Sequence, residues 1–423
     1  MTPHGASAPR PWAGLDPLVT VLAPPTEQSF SGFLDATSGP QGEPFAAERI
    51  EALGALSAAF LADPVLRRDA ASTAAAYWLR PAHLARLAKE FRHRTRDDVS
   101  VVRVPAGRVF HLAPSNVDTL FLYSWGLAFL CGNANVVRLS QDRSPVVDAM
   151  MRAIGGVAAE HAVLLGHDRF VTYAHDAEAS AAISLWCNHR VIWGGDETVA
   201  ALRPLALNPH ASERVFGSKF SYSVIGAARY LGAGSGGQAQ LAGRFFNDMF
   251  WFDQMACSSP QAVFWVGGEV EARSAMDRFE ESLQAEAERR GYEPSAANAV
   301  HRRTFAFELA ADAEVEVELR HPAFIGVRAA DAEALGREIC GGGIIRHHRL
   351  DRLEDLTRFA RESDQTVTHF GLEPDQLATL AAGLGARGVD RVVPVGEALL
   401  FDVVWDGFDL IDDFTRRVRV KTA

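Results

Sequence analysis

Two α/β domains, the first built on a mostly parallel sheet, are predicted from three observations. Between Val99 and Ile225, short β-rich runs alternate with helical patterns, the arithmetic of strand–helix–strand units. Ser144-Pro145, a good N-cap followed by a first-turn proline, opens a helix whose Val146, Met150, Ile154 and Val157 share one face. A second α/β stretch follows Cys257, beginning with the apolar run Ala262-Val263-Phe264-Trp265-Val266 stopped by Gly267-Gly268.

In chain order, residues 1–45 read as an irregular arm, because Pro, Gly, Ser and Thr dominate and periodicity is weak. From Ala46 the spacing Ile50, Leu53, Leu56, Phe60 predicts a helix, and Tyr77 through Leu84, Leu87 and Phe91 predicts more helix. Strands are expected at 101–104, 109–112, 135–138, 170–173 and 191–193. Trp193-Gly194-Gly195-Asp196 then reads as strand, glycine turn and helix start, a place where unpaired amides meet phosphates. Gly232, Gly234 and Gly237 spell G-x-G-x-x-G, yet no clear strand enters it and no fitting acidic residue follows, so a flexible loop is expected.

Beyond Cys257 a charged helix should turn Val270, Met276, Phe279 and Leu283 inward, and the alternation Glu314 to Leu319 predicts a half-exposed strand. Arg417 to Lys421 closes the chain as a short basic strand suited to another subunit's sheet edge. The expected domains are thus the arm 1–45, a first domain 46–222, a second 223–395, and a closing segment 396–423 that returns to the first domain or a subunit interface.

The 423 residues are 48% apolar, enough for two or three domains with large cores, and nothing in the composition signals disorder. A formal charge of −11 argues against nucleic acid as the main partner. Four scattered cysteines make neither a disulfide framework nor a metal site, so a reducing cytoplasm and no metal are expected. The apolar segment Leu120 to Cys131 is too short to span a bilayer.

Cys257 sits among small and polar residues, Gln254-Met255-Ala256-Cys257-Ser258-Ser259-Pro260, on the loop entering the apolar strand, the setting of a presented thiol. Cys131 and Cys187 lie in apolar sequence that favours core packing, and Cys340 precedes three glycines. An ordinary buried thiol is the competing reading of Cys257. His111, His347, His348 and His369 are candidate bases to which the sequence assigns no role.

Taken in order, Tyr77-Trp78-Leu79-Arg80, His111 to Asn116, Gly132 to Arg138, Trp193 to Thr198, Asp253-Gln254-Met255-Ala256-Cys257 and Trp405-Asp406-Gly407 resemble the LuxC-like acyl-CoA reductases of the aldehyde dehydrogenase superfamily. The resemblance spans Ile50 to Ala423. It implies an aldehyde dehydrogenase-like fold, with a Rossmann-type parallel-sheet domain for a nicotinamide cofactor and a second α/β domain carrying a catalytic cysteine. It implies Cys257 as nucleophile and Asn116 as oxyanion donor, with Arg138, Ser140, Gly194, Gly195 and Thr198 on the cofactor. Arg138 stands where the superfamily has a ribose-contacting lysine, and a guanidinium suits a 2′-phosphate, so NADPH is expected, with NADH the alternative.

Three departures accompany the resemblance. Val215 stands where hydrolytic aldehyde dehydrogenases carry a general-base glutamate, which suits thioester chemistry over acid formation. Asp196 replaces a small hydroxyl residue near the pyrophosphate, and Gln254 precedes the cysteine by one position more than usual, so it orients the loop rather than touching substrate. The implied reaction is attack of the Cys257 thiolate on an acyl thioester of CoA or a carrier protein, then hydride reduction of the acyl-enzyme to aldehyde. Thr366 and the Trp405-Asp406-Gly407 turn belong to the family pattern. A homo-oligomer, in the simplest case a dimer, and no integral membrane segment are expected; an acyltransferase or a non-catalytic scaffold subunit are the alternatives.

Overall fold

The computed structural model describes residues 10–96, 100–174 and 177–421. The chain forms two compact units, Met1–Gly217 with Phe408–Ala423, and Ser218–Gly407.

The first unit holds a six-stranded sheet. Its strands are Thr20–Ala23 (β1), Arg108–Leu112 (β3), Ala134–Leu139 (β4), Asp168–Thr172 (β5), His189–Trp193 (β6) and Ser212–Phe216 (β7), while Val101–Pro105 (β2) lies outside it. The order is β1-β5-β4-β3-β6-β7, with only β1 antiparallel to its neighbour. The chain winds outward from β3 through β4 to β5, then returns beside β3 to lay down β6 and β7. That reversal opens a crevice at the carboxyl ends of β3 and β6, where open α/β sheets bind ligands.

Helices Leu120–Leu130, Pro145–Glu160, Ala177–Trp186 and Asp196–Leu202 fill the crossovers. The first is buried from Phe121 to Leu130, which explains its mostly apolar sequence, and the hydroxyl of its one serine, Ser124, bonds His111 and Trp193. In Pro145–Glu160 the Ser144 side chain accepts from Val147 N as the sequence predicts. Phe110, Val136, Val171, Ile192 and Trp186 meet in one apolar core. No helix among the described residues is long and apolar enough to cross a membrane.

The second unit carries Phe220–Gly226 (β8), Pro260–Val266 (β9), Val315–Glu318 (β10), Ile325–Ala329 (β11), Ile344–Leu350 (β12), Asp364–Phe370 (β13) and Arg391–Pro394 (β14). Their order is β10-β11-β12-β9-β8-β13-β14, parallel except for the edge pair β10–β11. Helices Gly234–Phe250 and Glu269–Arg289 pack Phe245, Phe279 and Leu283 against Trp265 in one core, while Phe220, Phe264, Leu356 and Phe359 anchor another.

Several expectations are corrected. The run Phe220–Ile225, grouped by its alternation with the first domain up to 222, is a central strand of the second sheet, so the first unit ends at Gly217, and residues 396–407 belong to the second. Within the stretch read as an arm, Thr20–Ala23 forms an edge strand and Phe30–Ala36 a helix with Phe30, Phe33 and Leu34 buried; residues 1–9 lie outside the described residues. The glycine-rich 232–237 stretch is no loop: it spans the end of helix Ala227–Gly232 and the start of Gly234–Phe250, broken only at Gly234, whose φ is +65°. The buried stripe Leu241, Phe245 and Met249 holds that second helix despite its glycines.

Val270 is 86% exposed. It lies about 200° around the helix from Ala272, which begins the buried stripe through Met276, Phe279 and Leu283. The closing basic strand, Thr415–Arg419, pairs antiparallel with β2 of its own chain, Val418 opposite Val102, so it no longer argues for a dimer.

Candidate active site

Cys257 lies in the second unit, on the turn between helix Gly234–Phe250 and β9, at the amino end of the parallel strands. Two consecutive non-glycine residues of this turn are left-handed, Asp253 at φ +47° and Gln254 at φ +63°. Such conformations persist only where surroundings enforce them. Asp253 accepts from Tyr292 Oη at 2.8 Å and Asn298 Nδ2 at 3.2 Å, and its carbonyl accepts from Gly342 N at 2.7 Å. The fully buried Gln254 amide donates to the carbonyls of Pro260 (2.9 Å) and Ile344 (2.6 Å) and accepts from Ile344 N (2.9 Å). Gln254 thus fastens the turn to the starts of β9 and β12 and has no polar atom left for substrate, as expected of a loop-orienting residue.

Cys257 follows this braced turn and is partly exposed. Ser221 Oγ donates to its carbonyl at 2.8 Å and accepts from Thr366 N at 3.1 Å, tying the Cys257 backbone to β8 and β13. Its sulfur accepts from Gln365 Nε2 at 3.3 Å, and the same amide nitrogen donates to Asp406 Oδ1. Gln365 and Thr366 are fully buried, and Asp406, in a left-handed turn at φ +48°, is nearly so.

Burial pushes the Cys257 thiol up to about 11, with the Asp406 charge acting in the same direction; the Gln365 donor and the Arg391 guanidinium oppose them. Burial likewise pushes Asp406 up to about 6, against the Gln365 hydrogen bond and the Lys219 and Arg391 charges, while Asp390 adds to the rise. Arg391 is the cation that favours the Cys257 thiolate. It is itself fixed, donating to the carbonyls of Ala398 (3.1 Å), Glu397 (3.3 Å) and Leu400 (3.0 Å), with its guanidinium 4.5 Å from the Trp405 ring centroid.

In the first unit, the crevice at the carboxyl ends of β3 to β6 is a cavity of about 340 Å³ lined by Leu112, Arg138, Tyr173, Glu197, Thr198 and Leu202, among others. Arg138 ends β4 and lies 5.5 Å from the Tyr173 ring centroid. Gly194 lets the turn after β6 close on helix Asp196–Leu202, since a Cβ there would sit 3.0 Å from Thr198 Cγ2. Gly195 is that helix's N-cap. Ser140 follows β4, and its carbonyl accepts from Arg143 Nη1 at 3.2 Å; Asn116 is exposed on the loop after β3. Arg138 and Thr198 therefore share one cavity with Gly194 beneath it, while Cys257, Gln365, Thr366 and Asp406 form one cluster in the other unit. Val215 lies in β7 opposite Ile192, packed on the apolar core.

The remaining candidates separate by access. Cys131, Cys187 and Cys340 are buried, and burial raises all three thiols, Cys187 to about 12 and Cys340 to about 11. Cys257 is the one residue of the four that is not buried, and its sulfur meets an amide donor at 3.3 Å, whereas Cys340 Sγ has the His301 ring nitrogen 4.0 Å away. His111 is buried between Ser124 and Asn135 and pushed down to about 3 by burial, and His347 accepts from Trp265 Nε1 at 3.0 Å, both core roles. Gln365, Asp406 and Arg391 carry the cluster's electrostatics. The sequence held Asp406 inside a family motif and Gln365 only as the neighbour of Thr366, and offered no signal for Arg391.

The pattern of the family described as acyl-CoA reductase (LuxC) matches residues 86–417. A long-chain acyl-protein thioester reductase of Aliivibrio fischeri is 26% identical over 44% of this chain and 39% of its own length. One of Photorhabdus laumondii is 23% identical over 73% of this chain and 62% of its own length. The chain thus spans less than two thirds of these curated relatives. Among solved structures, an NAD-dependent aldehyde dehydrogenase from Sinorhizobium meliloti superposes with a TM-score of 0.66 at 12% identity, covering 89% of this chain and 83% of that one. PnpE in complex with nicotinamide adenine dinucleotide gives 0.64 at 15% identity, covering 90% and 86%. These likenesses establish the aldehyde dehydrogenase fold.

Proposed function

The chain belongs to the acyl-CoA reductase (LuxC) family, and from that premise we propose that it reduces an acyl thioester to an aldehyde through a covalent acyl-enzyme on Cys257, using NAD(P)H. The observation that carries this reading is the position of Cys257, the only residue of the four cysteines not buried, on a braced turn with an amide donor on its sulfur. The thioester reductases among its relatives support the substrate class.

The Cys257 thiolate attacks the thioester carbonyl and forms the new C–S bond, while the departing thiolate takes up a proton. Asn116 and the Cys257 backbone N–H are assigned to the oxyanion. Val215 offers no carboxylate to activate water, so the acyl group waits for reduction rather than hydrolysis. The cavity beside Arg138 fits the adenosine end of a nicotinamide dinucleotide: it has a cation and an aromatic wall in Tyr173, and a Cβ at Gly194 would crowd Thr198, which lines it. Arg138 favours NADPH over NADH, because its guanidinium can pair with a 2′-phosphate. Ser140, Gly195 and Thr198 complete the assigned cofactor contacts. When bound, the nicotinamide supplies the hydride.

The test is single-turnover mixing with a panel of acyl-CoAs and acyl-carrier proteins, read by intact mass, with Cys257→Ala alongside. An adduct on the wild type alone, cleared on adding NADPH with release of aldehyde, is the expected result. An adduct that NADPH cannot clear would make the protein an acyltransferase, and no adduct with any donor would make it a scaffold.

A further inference from the structure

We propose that Asp406 is a positioning residue that sets which end of the Gln365 amide faces Cys257, so that the sulfur meets an N–H donor and not a carbonyl oxygen. The proposal rests on the reading of Cys257 as nucleophile.

A primary amide has two ends of nearly the same shape, one with two donors and one that only accepts. Packing around the fully buried Gln365 therefore does not choose between them. A carboxylate does, because it can only accept. With Asp406 Oδ1 taking one hydrogen of Gln365 Nε2, the other points at Cys257 Sγ, 3.3 Å away. Gln365 Oε1 is left to accept from Thr366 Oγ1 at 3.3 Å. A donor facing sulfur favours the thiolate, whereas a carbonyl oxygen there would accept the S–H and favour the thiol. The carboxylate is held in place by the left-handed backbone of Asp406, nearly buried in the Trp405-Asp406-Gly407 turn. The charged groups around it are Lys219, Asp390 and Arg391.

Asp406 thus acts on Cys257 in two opposite ways. Through space its negative charge disfavours the thiolate; through Gln365 it holds the donor that favours it. Asp406→Asn separates the two, since asparagine keeps the shape, tolerates a positive φ and removes the charge.

The experiment is a double-mutant cycle on the full chain, following iodoacetamide alkylation of Cys257 against pH by peptide mass. Orientation control predicts that Asp406→Asn slows alkylation at neutral pH about tenfold, the loss of thiolate from a rise of about one pKa unit. In a Gln365→Leu background, where only the charge effect survives, the same substitution should speed alkylation. The same effect of Asp406→Asn in the wild-type and Gln365→Leu backgrounds overturns the proposal. Should Asp406→Asn fail to fold, Asp406→Gly, which also suits φ +48°, takes its place in the cycle. Alkylation needs no thioester turnover, so a missing acyl adduct would count against the function while this cycle still reported on the amide.

Discussion

At Cys257, burial and a neighbouring carboxylate oppose the Gln365 amide, the Arg391 guanidinium and the Ser258 backbone N–H, and the first two prevail, leaving the thiol near 11. The sign matters: a raised value means that the protonated form dominates at neutral pH, and the nucleophilic fraction grows tenfold for each unit of pH below that value. Alkylation of Cys257 should therefore be about a hundredfold faster at pH 9 than at pH 7. A rate that levels off by pH 8 would mean that the donor and the cation outweigh burial. The place of Cys257 on the loop entering β9 was legible because its polar neighbours abut an apolar strand, a pattern local to ten residues or so. Gln365 lies 108 positions away, and only the pairing of β8 with β9 and β13 brings its amide to the sulfur. No spacing rule reaches that far.

The turn from Trp251 to Cys257 is the element on which the site depends, and its bracing is concentrated in one side chain. Replacing Gln254 with Ala leaves Ile344 N without its acceptor and the Pro260 and Ile344 carbonyls without this donor, in a region where water does not reach. Unsatisfied buried groups of this kind cost about 3 kcal/mol together. Gln254→Ala should lower the unfolding midpoint in denaturant and slow acyl-adduct formation, while Gln254→Glu, which retains an acceptor for Ile344 N, should lose less stability at acid pH, where its carboxyl is neutral. Equal stability for all three proteins would show that the turn is held elsewhere. Elements with a strong local signal were read correctly, among them Pro145–Glu160 with its Ser144 cap and β9 with its glycine stop. Gly234–Phe250 was missed at its start because glycine propensity argues for a loop, whereas the stripe Leu241, Phe245 and Met249 that overrides it begins a full turn later.

Across the molecule, β3 to β6, β9 and β10 were visible as runs in the sequence, whereas β1, β7 and β11 to β14 were not, and neither was the point where one sheet ends and the next begins. Phe220–Ile225 continues the alternation of strands and helices without a break, and only its pairing with β9 and β13 assigns it to the second unit. On the proposed function, the division separates two kinds of chemistry. Arg138 and its cavity belong to the first unit, and Cys257 with Gln365 and Asp406 to the second. Acylation of Cys257 requires no nicotinamide, so a change confined to the Arg138 cavity should leave it intact. Arg138→Ala should raise the KM for NADPH about tenfold or more, the loss of a charge-assisted contact, with a smaller rise for NADH. The rate of acyl-adduct formation without cofactor should match the wild type. Stopped-flow mixing with acyl-CoA followed by intact mass, set beside steady-state kinetics with each cofactor, measures both halves. A slowed adduct in Arg138→Ala would mean that the first unit's cavity governs the thiol, and the two steps would then have to be treated as one coupled site.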